Sequence, residues 1–383
     1  MAEHLEISDD LIAVRHHLHQ YPELGFKEYE TTKFLRDQLT SHGIEVLETP
    51  LETGLVAEIK GEKPGPRVVL RADIDGLPIH EHSGLPFSSK NPGVMHGCGH
   101  DIHMTGLLAA AFWLFEHRER IQGTAVILFQ PAEETGRGAR HVIETGALGK
   151  VDALIGTHNT PDHKPGEIAV SWDPMMAGCV SFAVTFHADG THAGHPDCGT
   201  GPIEALASTI LSLQTIVSRN ISPLHPVVLS ITEIHGGDVW NVIPDTAGFL
   251  GTVRYFHKDD HKLVVSRFRQ VVESTAAAYD ITVDIKWDEL GAPLVSDAAL
   301  IGPVAEDLPG YATPVSVITS MGGEDFADFQ QLGPLVFASV GSNGRPGHRS
   351  IHNPEFVAFD EAIKPTAEFL VNALLRVESE LQK

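Results

Sequence analysis

A chain of 383 residues is longer than one hydrophobic core usually supports, so two domains are expected. Its 42% hydrophobic content is that of an ordinary globular protein. The net charge of −24, from 51 acidic and 27 basic residues, argues against nucleic acid or an anionic membrane as partner, because both demand basic patches. A small anionic substrate stays open, since one Arg can dominate a pocket. Three cysteines (Cys98, Cys179 and Cys198) argue against a disulfide framework and for a reducing compartment. The acidic first ten residues carry no basic stretch ahead of an apolar run, so no signal peptide is expected. No run of about eighteen apolar residues marks a transmembrane helix. The cytoplasm is the expected compartment, and the 23 histidines point weakly to metal or proton chemistry.

Residues 8–19 read as a helix, with Ser8 as cap and Leu11, Val14 and Leu18 at helical spacing. A second amphipathic helix spans 29–42 and stops at Gly43. Strands are expected over 56–59 and 67–71, the latter apolar enough for a buried sheet position. Residues 105–117 form a long apolar helix, 124–129 a strand, 139–145 a helix and 151–157 a buried strand. This alternation predicts an α/β domain with a largely parallel sheet. Its polar residues gather after strand C-termini, where ligand sites lie in such sheets.

The texture changes near residue 177. A half-exposed strand (180–187), a long helix (202–220), strands at 227–233 and 249–256, a helix (259–278) and a strand (281–287) follow. Strand-helix-strand-strand-helix-strand is the ferredoxin-like α+β pattern. From about residue 293 the first alternation resumes with a helix, strands at 316–319 and 335–340, and a final helix over 361–381. The second domain is therefore read as an insertion in the first.

Residues 95–101 read Met-His-Gly-Cys-Gly-His-Asp. A thiolate (Cys98) and an imidazole (His100) on a glycine-hinged turn can close on one metal ion. Residues 130–134, Gln-Pro-Ala-Glu-Glu, offer a carboxylate ligand and a carboxylate base side by side. In an extended segment Glu133 and Glu134 would point opposite ways and serve both tasks. Metal hydrolases need one carboxylate on the ion and another free to move a proton from water to the leaving amine. His158, at a strand end, and His352, on a late loop, would each read as structural or solvent-facing alone. As a set, Cys98, His100, Glu134, His158 and His352 are five N/O/S donors, enough for two divalent ions about 3.5–4 Å apart.

Asp73 and Asp75, in Arg71-Ala-Asp-Ile-Asp, either shape a turn or orient metal-ligand histidines. In the second domain Arg254 can grip a carboxylate bidentately, Asn241 can add a hydrogen bond, and His192 can stabilise an oxyanion. Taken singly, these three equally read as a surface Arg, a turn Asn and a turn His.

The set resembles the M20 metallopeptidases, in particular the amidohydrolase branch with hippurate hydrolases, auxin-conjugate hydrolases and N-acetyldiaminopimelate deacetylase. The matching runs cover nearly the whole chain. They are Leu18-His-Gln-Tyr-Pro-Glu-Leu-Gly-Phe26, Arg71-Ala-Asp-Ile-Asp75, His96-Gly-Cys-Gly-His-Asp101, Phe129-Gln-Pro-Ala-Glu-Glu134, Asn241-Val-Ile-Pro, Gly251-Thr-Val-Arg254, Gly323-Glu-Asp-Phe326 and the late His352. Order and spacing together make the likeness specific.

The resemblance implies a zinc-peptidase-like catalytic domain (residues 1–178 and 292–383) carrying a lid and dimerisation domain (179–291). It implies two divalent ions per subunit, manganese, zinc, nickel or cobalt, held by Cys98, His100, Glu134, His158 and His352. Glu133 would be the general base, and Asp73 falls where the deacetylases place an active-site aspartate; the relative weight of Asp73 and Asp75 stays open. Asn241 and Arg254 would hold the substrate carboxylate, and His192 would reach an active site, that of the partner subunit included. A homodimer or dimer-based tetramer is implied. One departure is visible: the family's lid motif is commonly Gly-Lys-Gly-Gly-His-Ala-Ala, whereas residues 188–194 read Ala-Asp-Gly-Thr-His-Ala-Gly.

The implied activity is hydrolysis of the amide bond of N-acyl (N-acetyl or N-benzoyl) amino acids to a carboxylic acid and a free amino acid. The alternative is an N-acetyldiaminopimelate deacetylase of lysine biosynthesis. A dipeptidase or aminopeptidase fits less well, because Cys98 is typical of the acyl-amino-acid branch. A non-catalytic metal-binding protein would lack the base or a ligand, and neither is missing. Oxidation of Cys98 is an expected route to inactivation.

Overall fold

The computed structural model describes residues 2–383, and the chain divides into two compact units. The first takes the chain as far as Met175, then Val295–Ile318 and Asp325–Lys383; the second takes Met176–Leu294 and Thr319–Glu324.

Ser8 caps helix α1 (Asp9–Gln20) as its position predicts, accepting the Leu11 N–H at 3.3 Å. Asp9 and Asp10 fill the first turn, where the helix dipole favours negative charge. Helix α2 (Tyr29–Ser41) and strands β1 (Glu45–Val46), β2 (Leu55–Lys60) and β3 (Lys63–Asp73) follow. Then come α3 (His100–Glu116), β4 (Gln122–Gln130), α4 (Gly138–Thr145), β5 (Ala153–Thr160) and β6 (Glu167–Val170).

The second unit begins with β7 (Gly178–His187), β8 (Thr191–His192) and α5 (Pro202–Asn220). It continues with β9 (Val227–Gly236), β10 (Val242–Ile243), β11 (Thr246–Tyr255), α6 (Lys258–Ala278) and β12 (Thr282–Gly291). Its four-stranded sheet is antiparallel throughout, in the order β12-β7-β11-β9. Alternate residues of β7 (Val180, Phe182, Val184, Phe186) pack with Leu213 and Ile216 of α5 and Val264, Phe268 and Val272 of α6. This is the ferredoxin-like arrangement, with one sheet face under two helices.

The chain then returns to the first unit as α7 (Ala298–Asp307), β13 (Thr313–Pro314), β14 (Leu335–Gly341) and α8 (Ile363–Glu380). The eight-stranded sheet runs β1-β2-β4-β3-β5-β14-β6-β13. Its middle, β4-β3-β5-β14, is parallel, and the β1/β2, β2/β4 and β14/β6 pairs are antiparallel. Buried runs such as Val68–Leu70 and Ala125–Phe129 suit strands covered on both faces. Helix α3 is apolar nearly all round and lies against α8. Gly106 permits that approach: a Cβ there would stand 2.5 Å from Thr366 Cγ2.

Several expectations shift. Helix α3 starts at His100 rather than 105, because Gly99 supplies a left-handed cap. Strand β3 extends to Asp73, and β5 runs through His158 to Thr160, so both residues belong to strands rather than to the turns after them. Residues 316–319 form no strand. The pairing in that region is β13 with β6, and both are too short for periodicity to reveal.

Candidate metal centre

Gly99 sets the first donor pair. Its φ of +81° is left-handed, and a Cβ there would stand 2.4 Å from Asn159 Nδ2. The turn leaves Cys98 just ahead of α3 and His100 as its first residue, both buried. His100 Nδ1 donates to the backbone carbonyl of Asp75 at 2.9 Å. A carbonyl can only accept, so the proton sits on Nδ1 and the Nε2 lone pair faces inward. His158 repeats this logic. Its Nδ1 donates to the Asn159 carbonyl at 2.6 Å, and its Nε2 lies 3.3 Å from Cys98 Sγ.

The glutamates come from a turn, not from the extended segment expected. After β4 ends, Ala132 adopts φ +56° and Glu133–Thr135 forms a single 3₁₀ turn. Glu134 reaches His100 Nε2 at 3.9 Å through Oε1 and His352 Nε2 at 3.4 Å through Oε2. His352 arrives in the left-handed region, φ +61°, with its N–H bonded to the Gly97 carbonyl at 2.8 Å. A non-glycine residue held there costs of order 1–3 kcal/mol, and such strain gathers at functional sites. Two overlapping triads result, Cys98–His100–His158 and Cys98–Glu134–His352, each with donor atoms within 4.8 Å of one another.

Geometry separates the two aspartates. Asp75 accepts the backbone N–H groups of Glu133 (3.1 Å) and Glu134 (3.0 Å), so it holds the turn. Asp73 is fully buried; it accepts from Arg71 at 2.9 Å and pairs with His103 Nδ1 at 2.6 Å. Arg71 also donates to Gln130 and Asp325, and the Asp325 N–H reaches Glu133 Oε1 at 3.4 Å. Glu28 accepts the Ala132 N–H at 2.8 Å. Of these supporting residues, sequence reasoning assigned a role only to the two aspartates. His103 could have been found, being three residues along the same helix face as His100. Asn159, Gln130 and Glu28 carry no spacing signal.

Burial alone would lower the His100 pKa, but the Asp73 charge, the hydrogen bond to Asp75 and Glu134 lift it to about 10. Burial raises Glu134 to about 7, against the pull of His100 and with the push of Asp75 and Asp73. Burial, reinforced by His103, drops His158 to about 3, which keeps its Nε2 bare. Electrostatics therefore calls for positive charge at His100 Nε2. Yet that nitrogen and Glu134 Oε1 are buried without a hydrogen-bond partner. A cation bound through both satisfies charge and lone pairs together, so the residues fit a metal.

His192, Asn241 and Arg254 all lie in the second unit. His192 and Asn241 adjoin across the antiparallel β8/β10 ladder, where the Ala193 N–H bonds the Asn241 carbonyl at 3.0 Å. Arg254 sits on β11, paired with Cys179 and Val228, on the sheet face opposite Val253 and Tyr255.

Residues 69–376 match the model of peptidase family M20/M25/M40. The chain is 42% identical to N-acetyl-L-cysteine deacetylase of Bacillus subtilis, over 97% of this chain and 89% of that protein. It is 36% identical to IAA-amino acid hydrolase ILR1-like 4 of Arabidopsis thaliana, over 100% and 89%. Among solved structures it resembles the Bacillus subtilis YXEP protein, described as a dinuclear metal binding peptidase from the M20 family. The TM-score is 0.87 and the identity 38%, over 97% of this chain and 98% of that one. This chain belongs to peptidase family M20/M25/M40 and is a metal-dependent amidohydrolase.

Proposed function

We propose that the protein hydrolyses the amide bond of N-acyl amino acids, N-acetyl ones foremost, with two divalent ions held by Cys98, His100, Glu134, His158 and His352. The carrying observation is the pair of overlapping donor triads beside a second carboxylate, Glu133. The two relatives of 42% and 36% identity are named for an N-acetyl amino acid and for an amino-acid conjugate.

When bound, the ions polarise the scissile carbonyl and lower the pKa of water toward neutrality. Glu133 takes a proton from the attacking water as the new C–O bond forms. The C–N bond then breaks, and Glu133 returns that proton to the leaving nitrogen. Asp75 fixes where Glu133 stands, and the Asp325 N–H holds its carboxylate. Asp73 anchors His103 beside His100. In the second unit, Asn241 and Arg254 hold the substrate carboxylate and His192 steadies the developing oxyanion. Residues 179–291 act as the lid and dimerisation domain, in a homodimer or dimer-based tetramer. No helix of the described residues is long and apolar enough to cross a membrane.

The test is release of free amino acid from N-acetyl, N-benzoyl and longer N-acyl amino acids, N-acetyldiaminopimelate included, with manganese, zinc, nickel and cobalt. Turnover of dipeptides but of no acyl amino acid overturns the reading. A Glu133→Gln protein that keeps its metal should lose ~10²–10⁴-fold in kcat; near-normal turnover would remove Glu133 from its role.

A further inference from the structure

The second unit holds another convergence of metal-donor side chains, sharing no residue with the centre at Cys98. His225 stands between Pro223 and Pro226 in the loop that leads into β9, and its N–H closes a turn on the Ser222 carbonyl at 2.9 Å. His257 is the N-cap residue of α6, and Asp260 lies in that helix's first turn. His225 Nδ1 pairs with Asp260 Oδ2 at 2.8 Å. The His225 and His257 rings lie 4.4 Å apart between centroids, inclined by 44°. One nitrogen from each imidazole and one oxygen of Asp260 fall within 4.8 Å of one another.

We infer that His225, His257 and Asp260 form a site for one divalent transition-metal ion of the zinc, nickel or copper class. Two imidazoles and a carboxylate are the donor set such ions select over magnesium or calcium. Donors bound at about 2.0–2.2 Å from one tetrahedral ion stand about 3.3–3.6 Å apart, so closing a spread within 4.8 Å takes side-chain shifts of about 1 Å. The prolines limit the loop's freedom, so little ordering cost attends binding. Water completes the coordination, because the His225 side chain is 41% exposed. The ion ties the loop before β9 to the start of α6. Its occupancy therefore stabilises the second unit by mass action, rising with free metal.

The experiment counts zinc bound per full-length chain, by calorimetric titration and by elemental analysis after gel filtration, in wild type, His257→Gln and His225→Gln. Wild type should bind one ion per chain more than either variant, and hydrolysis under zinc should stay within about twofold. Added zinc should raise the Tm of wild type beyond that of the variants. Equal stoichiometry in all three proteins overturns the site. The readout is a difference, so it stands whether or not two ions occupy the Cys98 centre. Should a glutamine variant lose its circular dichroism spectrum, His257→Asn replaces it in the same count.

Discussion

The carboxylate of Asp75 grips Glu133 by its backbone, accepting its N–H at 3.1 Å while the second oxygen takes the N–H of Glu134 at 3.0 Å. The two carboxylates proposed as ligand and base are thus positioned through their backbone by one residue. Asp75→Asn keeps a single acceptor oxygen and turns an amide NH₂ against one of those N–H groups. Activity should fall ~10–100-fold, the usual cost of disturbing groups that orient metal ligands. The pH profile of the residual activity should shift, since the proposed base is displaced; an unchanged kcat would show that the turn holds itself.

Gly99→Ala should damage the centre. A Cβ at φ +81° costs about 1–2 kcal/mol in backbone energy, and it would also stand 2.4 Å from Asn159. Metal content after dialysis should drop while the far-ultraviolet circular dichroism is retained. Full metal retention would contradict the geometry.

Cysteine reactivity separates the three thiols. Cys98 and Cys179 are buried and Cys198 is exposed, so the route to inactivation by oxidation of Cys98 expected from sequence is obstructed. Iodoacetamide on the metal-loaded protein should label Cys198 first, by peptide mass mapping, with activity retained. Unfolding in denaturant should then bring Cys98 and Cys179 into reach. Early labelling of Cys98 in the loaded protein would count against this order.

Stability should decline on the alkaline side. Burial raises Glu28 to about 7 and Glu378 to about 8, from an ordinary 4.5. A folded-state pKa above the unfolded value gives a contribution fully present below about pH 4.5 and lost as pH climbs through 7–8, of the order of a few kcal/mol. Tm should therefore fall between pH 5 and 9, and Glu378→Gln should flatten the slope. A variant with the wild-type slope would show that Glu378 does not drive it.

Some of this was legible in the chain, for physical reasons. The Cys98–His100 pair announces itself through its flanking glycines, and at Gly99 the left-handed backbone demands one. The helix caps and the ferredoxin-like order follow from local chemistry and period. His158 and His352 gain meaning only together, since a lone histidine carries no spacing signal. The task of Asp75 was illegible, because it depends on a carboxylate meeting backbone N–H groups of the turn that follows β4. The Glu133–Glu134 pair was read as extended. The left-handed Ala132, its N–H held by Glu28 just ahead of α2, turns it into a 3₁₀ turn.

The hydrogen bond from His352 to Gly97 carries a timing rule. During synthesis, Cys98, His100, Glu134 and His158 leave the ribosome well before His352, and the whole second unit intervenes. The first unit lacks β14 and α8 until its last segment emerges. An ion met early would find an unfinished donor set in an unfinished sheet. The proposed centre is therefore complete only after the second unit and β14 have emerged, so its metal is chosen from the pool that the late, folded first unit meets, not the early nascent chain.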